Sequence, residues 1–281
     1  MFRKLFVTGI ISLMLITGTA LAGKKVIVGT SADWPFFEWV DKKGNIVGFD
    51  MDVMRMIGHL KGWDLKIKDI PYDSLIPAIK ASKIDIIAAQ TNITPERAKQ
   101  ADFSDPYWVA DLAILIRNDS KLNMANIFTG NRKIGAQIGT TQAKFLEDAA
   151  KAGAKIEFKG YETNDLILMD VKAGRIDAFM GDTPVAKVFT ETWPLKLIGI
   201  VMPDNAECGF MVQKGDPDNL LEDINSGVAE LKSMGVWDVL TNAYVGGNLK
   251  NITKCYAGAR SLLEKGDLRA YATSLERCMT K

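Results

Sequence analysis

Lys133-Ile134-Gly135-Ala136-Gln137-Ile138-Gly139-Thr140-Thr141-Gln142 decides how the rest of the chain is read. Lys133–Ile138 has strand character and runs into a glycine and two hydroxyl residues. Thr141–Lys151 then reads as a helix closed by Gly153. A strand that turns directly into a helix is half of a βαβ unit. The pattern continues with strand Lys155–Lys159, helix Asn164–Lys172, strand Ile176–Met180 and helix Thr183–Thr192. Upstream, Lys25–Thr30 is an apolar strand. In Asp50–Lys61, Val53, Met56, Ile57 and Leu60 recur at helical spacing, with Asp52, Arg55 and His59 on the other, solvent-facing side. Strand Leu65–Ile70, helix Ser74–Ser82 capped by Asp73, strand Ile84–Ala89 and a helix from Thr94 follow. Beyond the second set come strands Lys196–Val201 and Gly209–Gln213, then helices Asp216–Met234 and Val236–Tyr244. Strands separated by single helices imply two α/β units with mostly parallel sheets.

Composition narrows the function. With 281 residues, 47% of them hydrophobic, the chain can bury the cores of two domains. The 35 basic and 34 acidic residues nearly cancel, so overall charge recruits neither nucleic acid nor an anionic membrane. A histidine-based catalytic triad or multi-histidine metal site would have to be built around the single histidine, His59. Three cysteines without CxxC spacing argue against structural zinc, and no cofactor motif is present.

The two ends carry separate signals. Arg3-Lys4, an apolar run from Leu5 to Ile16 and Thr19-Ala20-Leu21-Ala22 form a signal peptide expected to be cleaved after Ala22; the alternative is a retained anchor. Gly23, rather than Cys, follows the cleavage point, which disfavours a lipoprotein. The expected destination is the periplasm, an oxidising compartment. There, 252–265 and 267–279 read as two helices joined near Gly266, which brings Cys255 opposite Cys278 as a disulfide. Cys208 is left as a buried small residue.

Three strand-to-helix corners suit charged ligand groups. At Thr94-Pro95-Glu96-Arg97, Arg97 opposes the helix dipole in the first turn, and an anionic ligand would explain it. Pairing with Glu96 or Asp102 is the alternative. Gly139-Thr140-Thr141 offers amides and hydroxyls to an anion, or is plain helix capping. It matches neither GxGxxG nor GxxxxGK[ST], so a nucleotide site is unsupported. Asp182, before Thr183-Pro184, can receive an ammonium or cap its own helix. Together the corners describe a receptor for a zwitterion.

Several ordered motifs carry a resemblance. They are Gly29-Thr30-Ser31-Ala32-Asp33-Trp34-Pro35-Phe36-Phe37-Glu38, Gly48-Phe49-Asp50-Met51-Asp52, Leu75-Ile76-Pro77-Ala78, Ile93-Thr94-Pro95-Glu96-Arg97, Asp102-Phe103-Ser104-Asp105-Pro106-Tyr107 and Gly139-Thr140-Thr141. Over roughly residues 24–245 the chain resembles periplasmic amino-acid-binding proteins of the family 3 extracellular solute-binding type, which serve ABC importers. The resemblance implies a type II two-lobed periplasmic-binding-protein fold that closes on its ligand. Lobe 1 would be 23–113 with 207–245, lobe 2 would be 117–203, and 246–281 a helical extension outside the usual pattern. By the same resemblance, Arg97, Asn92, Thr140 and Thr141 would take the ligand carboxylate, and Asp182 and Gln90 the ammonium. Ser31, Asp33, Trp34 and Gln137 would surround the side chain. Ser31 stands where many members carry Asp, which points to an uncharged side chain. The partners implied are a small amino acid and a membrane permease, with the binding protein a monomer. The alternative is an enzyme resembling cyclohexadienyl dehydratases on the same fold, acting on prephenate or arogenate.

Overall fold

The computed structural model describes residues 23–247 and 251–280. Segment 1–22, expected to be a signal peptide, lies outside the described residues.

Two five-stranded sheets share one plan. The first contains β1 (Lys24–Thr30), β5 (Trp63–Asp69), β6 (Ile86–Ile87), β7 (Ala101–Phe103) and β13 (Met211–Gln213), in the order β5-β1-β6-β13-β7. The second contains β8 (Trp108–Arg117), β9 (Arg132–Gln137), β10 (Ile156–Tyr161), β11 (Ala178–Asp182) and β12 (Leu195–Cys208), in the order β10-β9-β11-β8-β12. In each sheet one strand runs against the rest, β13 in the first and β8 in the second. These reversed strands lie just past the points where the chain changes sheets, between Phe103 and Trp108 and between Cys208 and Met211. β12 is a single strand to Cys208, longer than Lys196–Val201, because it pairs along β8 from Leu195↔Arg117 to Cys208↔Trp108.

The helices cover the sheets. α1 (Phe49–Leu60), α2 (Leu75–Lys80) and α3 (Pro95–Ala98) follow strands of the first half. α4 (Thr141–Lys151), α5 (Asn164–Ala173) and α6 (Thr183–Thr192) follow those of the second. The helix beginning at Pro95 is a single turn, and a 3-10 turn over Tyr72–Ser74 precedes α2 without a side-chain cap from Asp73. α7 (Leu220–Ser233) starts four residues later than Asp216, whose carboxylate accepts from the Leu220 and Leu221 N–H groups, 2.8 and 2.9 Å away. α8 (Val236–Gly246) follows. A short ribbon of β2 (Asp33–Trp34), β3 (Glu38–Val40) and β4 (Ile46–Val47), absent from the sequence reading, bridges β1 to α1.

Burial follows strand alternation. On β8, Leu112, Ile114 and Ile116 join one apolar cluster while Ala113 and Leu115 face another, so the strand is covered on both sides.

The C-terminal hairpin of α9 (Ile252–Glu264) and α10 (Leu268–Met279) forms as expected, with its turn at Gly266 and a Cys255–Cys278 disulfide whose Cα atoms are 5.5 Å apart. It also overturns the reading of α1. Asp52 is fully buried rather than solvent-facing, and Arg55 is only partly exposed. The hairpin lies over that side of α1. Tyr244 on α8 donates to Asp52 Oδ2 at 2.7 Å, and the Arg55 guanidinium stacks 5.5 Å from the Tyr256 ring centre. Burial pushes the Asp52 carboxyl up to about 6, although Arg55 and the tyrosine hydroxyls pull it down. His59 remains exposed beside the Gly266 turn, where a Cβ would come within 2.0 Å of its Nε2. No helix among the described residues is long and apolar enough to cross a membrane.

Candidate functional site

The parallel strands of both sheets aim their carboxyl ends at one cleft, the location that open α/β sheets offer to ligands. Its lining comes from both halves. Ser31, Asp33 and Trp34 follow β1, and Gln90 and Asn92 follow β6. Gln137 ends β9, Thr140 precedes α4, and Asp182 ends β11. Arg97 and Thr141 join from the edge through Asn92. The Arg97 Nη1 donates to the Asn92 carbonyl at 2.9 Å, and Thr141 Oγ1 donates to Asn92 Oδ1 at 2.8 Å. Eight of the ten residues expected around a ligand thus line this cleft, and Arg97 and Thr141 touch it through Asn92.

Arg97 is 7% exposed, yet among the described residues its partners are all neutral. Its Nη2 donates to the Tyr72 hydroxyl at 3.0 Å and across the cleft to the Gly139 carbonyl at 2.9 Å. It pairs with neither Glu96 nor Asp102; Asp102 instead takes Lys214. The crossing is possible because Gly139 has φ +83° and no side chain, so that a Cβ there would meet Asp73 Cα at 3.1 Å.

Asp182 mirrors this arrangement in the other half. It is 2% exposed, makes no side-chain cap to α6, and accepts from Gln142 Nε2 at 2.5 Å. Burial raises its carboxyl to about 7, against the pull of the Gln142 and Gln90 amides. A buried guanidinium and a buried carboxyl, each hydrogen-bonded to neutral partners, carry desolvation costs that an oppositely charged ligand group would offset.

Between them stand groups of a different kind. Trp34 donates from Nε1 to Gln90 Oε1 at 2.5 Å and packs edge-on against Phe179 and Phe189, with ring centres 6.2 and 6.0 Å away. Gln90 adopts a left-handed φ of +41° while its N–H donates to Asp50 Oδ2 at 2.9 Å. Cys208 is buried as expected and accepts weakly from the Gln90 and Asn92 amides. Thr140 caps α4, with Oγ1 accepting from the Ala143 N–H at 3.1 Å.

Four polar lining residues were missed by the sequence reading: Glu38, Tyr72, Gln142 and Asn164. Glu38 is 1% exposed, and its Oε2 has no hydrogen-bond partner among the described residues. Burial pushes its carboxyl well above the usual range, and Asp50 and Asp33 add to the rise. An acid directly after Pro35-Phe36-Phe37 was the available signal for it. Tyr72 has no local signal; only the fold brings it to Arg97.

Residues 26–247 match the model of the bacterial extracellular solute-binding proteins, family 3. The chain belongs to that family. It is 31% identical over 235 residues to the arginine-binding extracellular protein ArtP of Bacillus subtilis, covering 82% of this chain and 90% of that one. An ancestral arginine-binding protein solved with arginine superposes with a TM-score of 0.72 at 32% identity, covering 77% of this chain and 96% of that chain. An ancestral amino acid-binding protein, a precursor of cyclohexadienyl dehydratase, superposes with a TM-score of 0.69 at 30% identity, covering 76% and 92%. The family match stops at residue 247, before the α9–α10 hairpin.

Proposed function

We propose that this family 3 solute-binding protein captures one free L-amino acid with a cationic side chain between its lobes and delivers it to the permease of an ABC importer. The observation that carries the reading is the pair of buried, neutrally partnered charges, Arg97 in one half and Asp182 in the other. Arg97, helped by Asn92, Thr140 and Thr141, takes the carboxylate; Asp182, helped by Gln90, takes the ammonium. Trp34 flanks the side chain, whose end reaches Glu38.

Ser31, together with Gln137 and Trp34 around the side chain, suggested an uncharged one. Glu38 argues the other way, because a cation in the same cleft would offset the desolvation that pushes this unpartnered carboxyl up and let it ionise. The similarity to arginine-binding proteins supports the cationic reading. We read 23–113 with 207–245 as lobe 1, 117–203 as lobe 2 and 246–281 as an extension. The protein works as a monomer in the periplasm after cleavage behind Ala22.

A thermal-shift and calorimetric screen of arginine, lysine, histidine, glutamine and leucine tests this. A cationic amino acid should bind most tightly. A neutral one binding tighter overturns the side-chain assignment, and no binding by any overturns the function. An elimination enzyme needs a general acid, and Asp182 at about 7 is one candidate in the cleft. Incubation with prephenate or arogenate should yield no aromatic product.

A further inference from the structure

Asp33 lines the cleft, but its carboxylate is committed elsewhere. Helix α5 begins at Asn164, and the residue in its N-cap position, Thr163, makes no side-chain capping bond. The cap comes from the opposite half of the molecule. Asp33 Oδ2 accepts from the Asn164 backbone N–H at 2.7 Å, 131 residues away in sequence. The same oxygen accepts from Gln137 Nε2 at 3.1 Å, and Asp33 Oδ1 accepts from Ser31 Oγ at 3.2 Å. Gln137 is itself held to lobe 2, donating to the Glu162 carbonyl at 2.9 Å and accepting from Asn164 Nδ2 at 3.0 Å. Three donors thus occupy a carboxylate with about four acceptor sites, which leaves little for a ligand.

We propose that Asp33 is a cross-lobe latch that caps helix α5 in trans and so stabilises the closed protein independently of what the ligand's side chain is. The physical basis is the helix end. The first N–H groups of α5 have no intrahelical acceptors, and the positive end of the helix dipole favours an anion. When the lobes part, both the carboxylate and the N–H return to water, so the latch acts only on the closed state. A contact present only in that state raises its population and tightens every ligand that requires closure by the same factor. This separates Asp33 from Glu38, whose Oε2 has no partner among the described residues.

The inference rests on the cleft closing around an amino acid, and the test keeps the two claims apart. Asp33→Ala should weaken arginine and glutamine by the same factor, roughly 2- to 30-fold, as expected for the loss of a helix cap. Asn164→Pro removes the capped N–H while placing proline at the first helical position, where it is tolerated. Thr163, at φ −131° and ψ 151°, already has a conformation compatible with a following proline. This variant, which also gives up the Asn164 Nδ2 bond to Gln137, should show at least the same loss, and adding Asp33→Ala to it should cost nothing further. Small-angle scattering of the ligand-free proteins should show Asp33→Ala more expanded than wild type, a readout that stands even if no amino acid binds. A loss confined to arginine would make Asp33 a ligand contact and overturn the latch. Unchanged affinity together with an unchanged radius would overturn it as well.

Discussion

Arg97 reaches over the cleft to the Gly139 carbonyl, 2.9 Å from its Nη2, so one guanidinium touches both halves of the protein. A ligand carboxylate arriving there replaces a neutral acceptor with a charged one, and charge-assisted bonds of this kind are roughly twice as strong. Arg97→Ala should therefore weaken every amino-acid ligand alike. Removing one partner of a buried charge pair costs about 2–5 kcal/mol, roughly 30-fold to several thousand-fold in affinity. Asp182→Asn should act the same way through the ammonium. Titration calorimetry on a small ligand panel checks both, and a loss under about threefold in folded Arg97→Ala would remove it from the carboxylate site.

Glu38→Gln keeps the size of the side chain and removes its capacity to ionise beside a cationic ligand. Affinity for arginine should fall by roughly tenfold or more while that for glutamine changes little, so the ranking compresses. Trp34→Ala should also reorder ligands, through lost packing rather than charge. Equal effects of Glu38→Gln on both ligands would show that Glu38 serves the fold and not the side chain.

Asp50 is fully buried, with Tyr107 and the Gln90 N–H both donating to Oδ2, at 2.6 and 2.9 Å. Burial raises its carboxyl from 3.8 to about 7. The folded protein therefore keeps a proton that the unfolded chain releases between those values. Stability contributed by this group is complete below about pH 4 and declines as pH rises toward 7. Asp50→Asn should flatten the decline in urea midpoint between about pH 5 and 8, measured against wild type. Identical slopes in the two proteins would contradict the assignment.

The Cys255–Cys278 disulfide spans 23 residues of sequence. Loop closure of that length stabilises by about 3 kcal/mol. Replacing both cysteines with serine should lower the unfolding free energy by about that amount, and the hairpin should become the first segment to exchange amide protons. Denaturant titration with hydrogen exchange reads both. A variant as stable as wild type would mean that packing of Tyr256, Tyr271 and Leu275 already holds the hairpin.

Local chemistry made much of the molecule legible in sequence. Strand-to-helix corners are short-range objects, so Arg97, Thr140 and Asp182 could be singled out from their own neighbours. The hairpin and its disulfide were equally local, set by helix length on either side of Gly266. Helical periodicity placed the apolar face of α1 correctly, as Val53, Met56 and Ile57 are all buried. It could say nothing of what covers the opposite face, because the covering residues, Tyr244 and Tyr256, lie some 190 or more positions later.

By itself, then, the sequence determined the α/β alternation, the strand ends that carry charge and the pairing of Cys255 with Cys278. Each depends on contacts or periodicities within a few tens of residues. Tertiary structure alone decided that Asp52 is buried, that Glu38 lines the cleft with an oxygen unpartnered among the described residues, and that Asp33 caps a helix 131 residues away. A carboxylate's role depends on which donors and how much water surround it. Those surroundings are assembled from distant segments only when the two sheets and the hairpin come together.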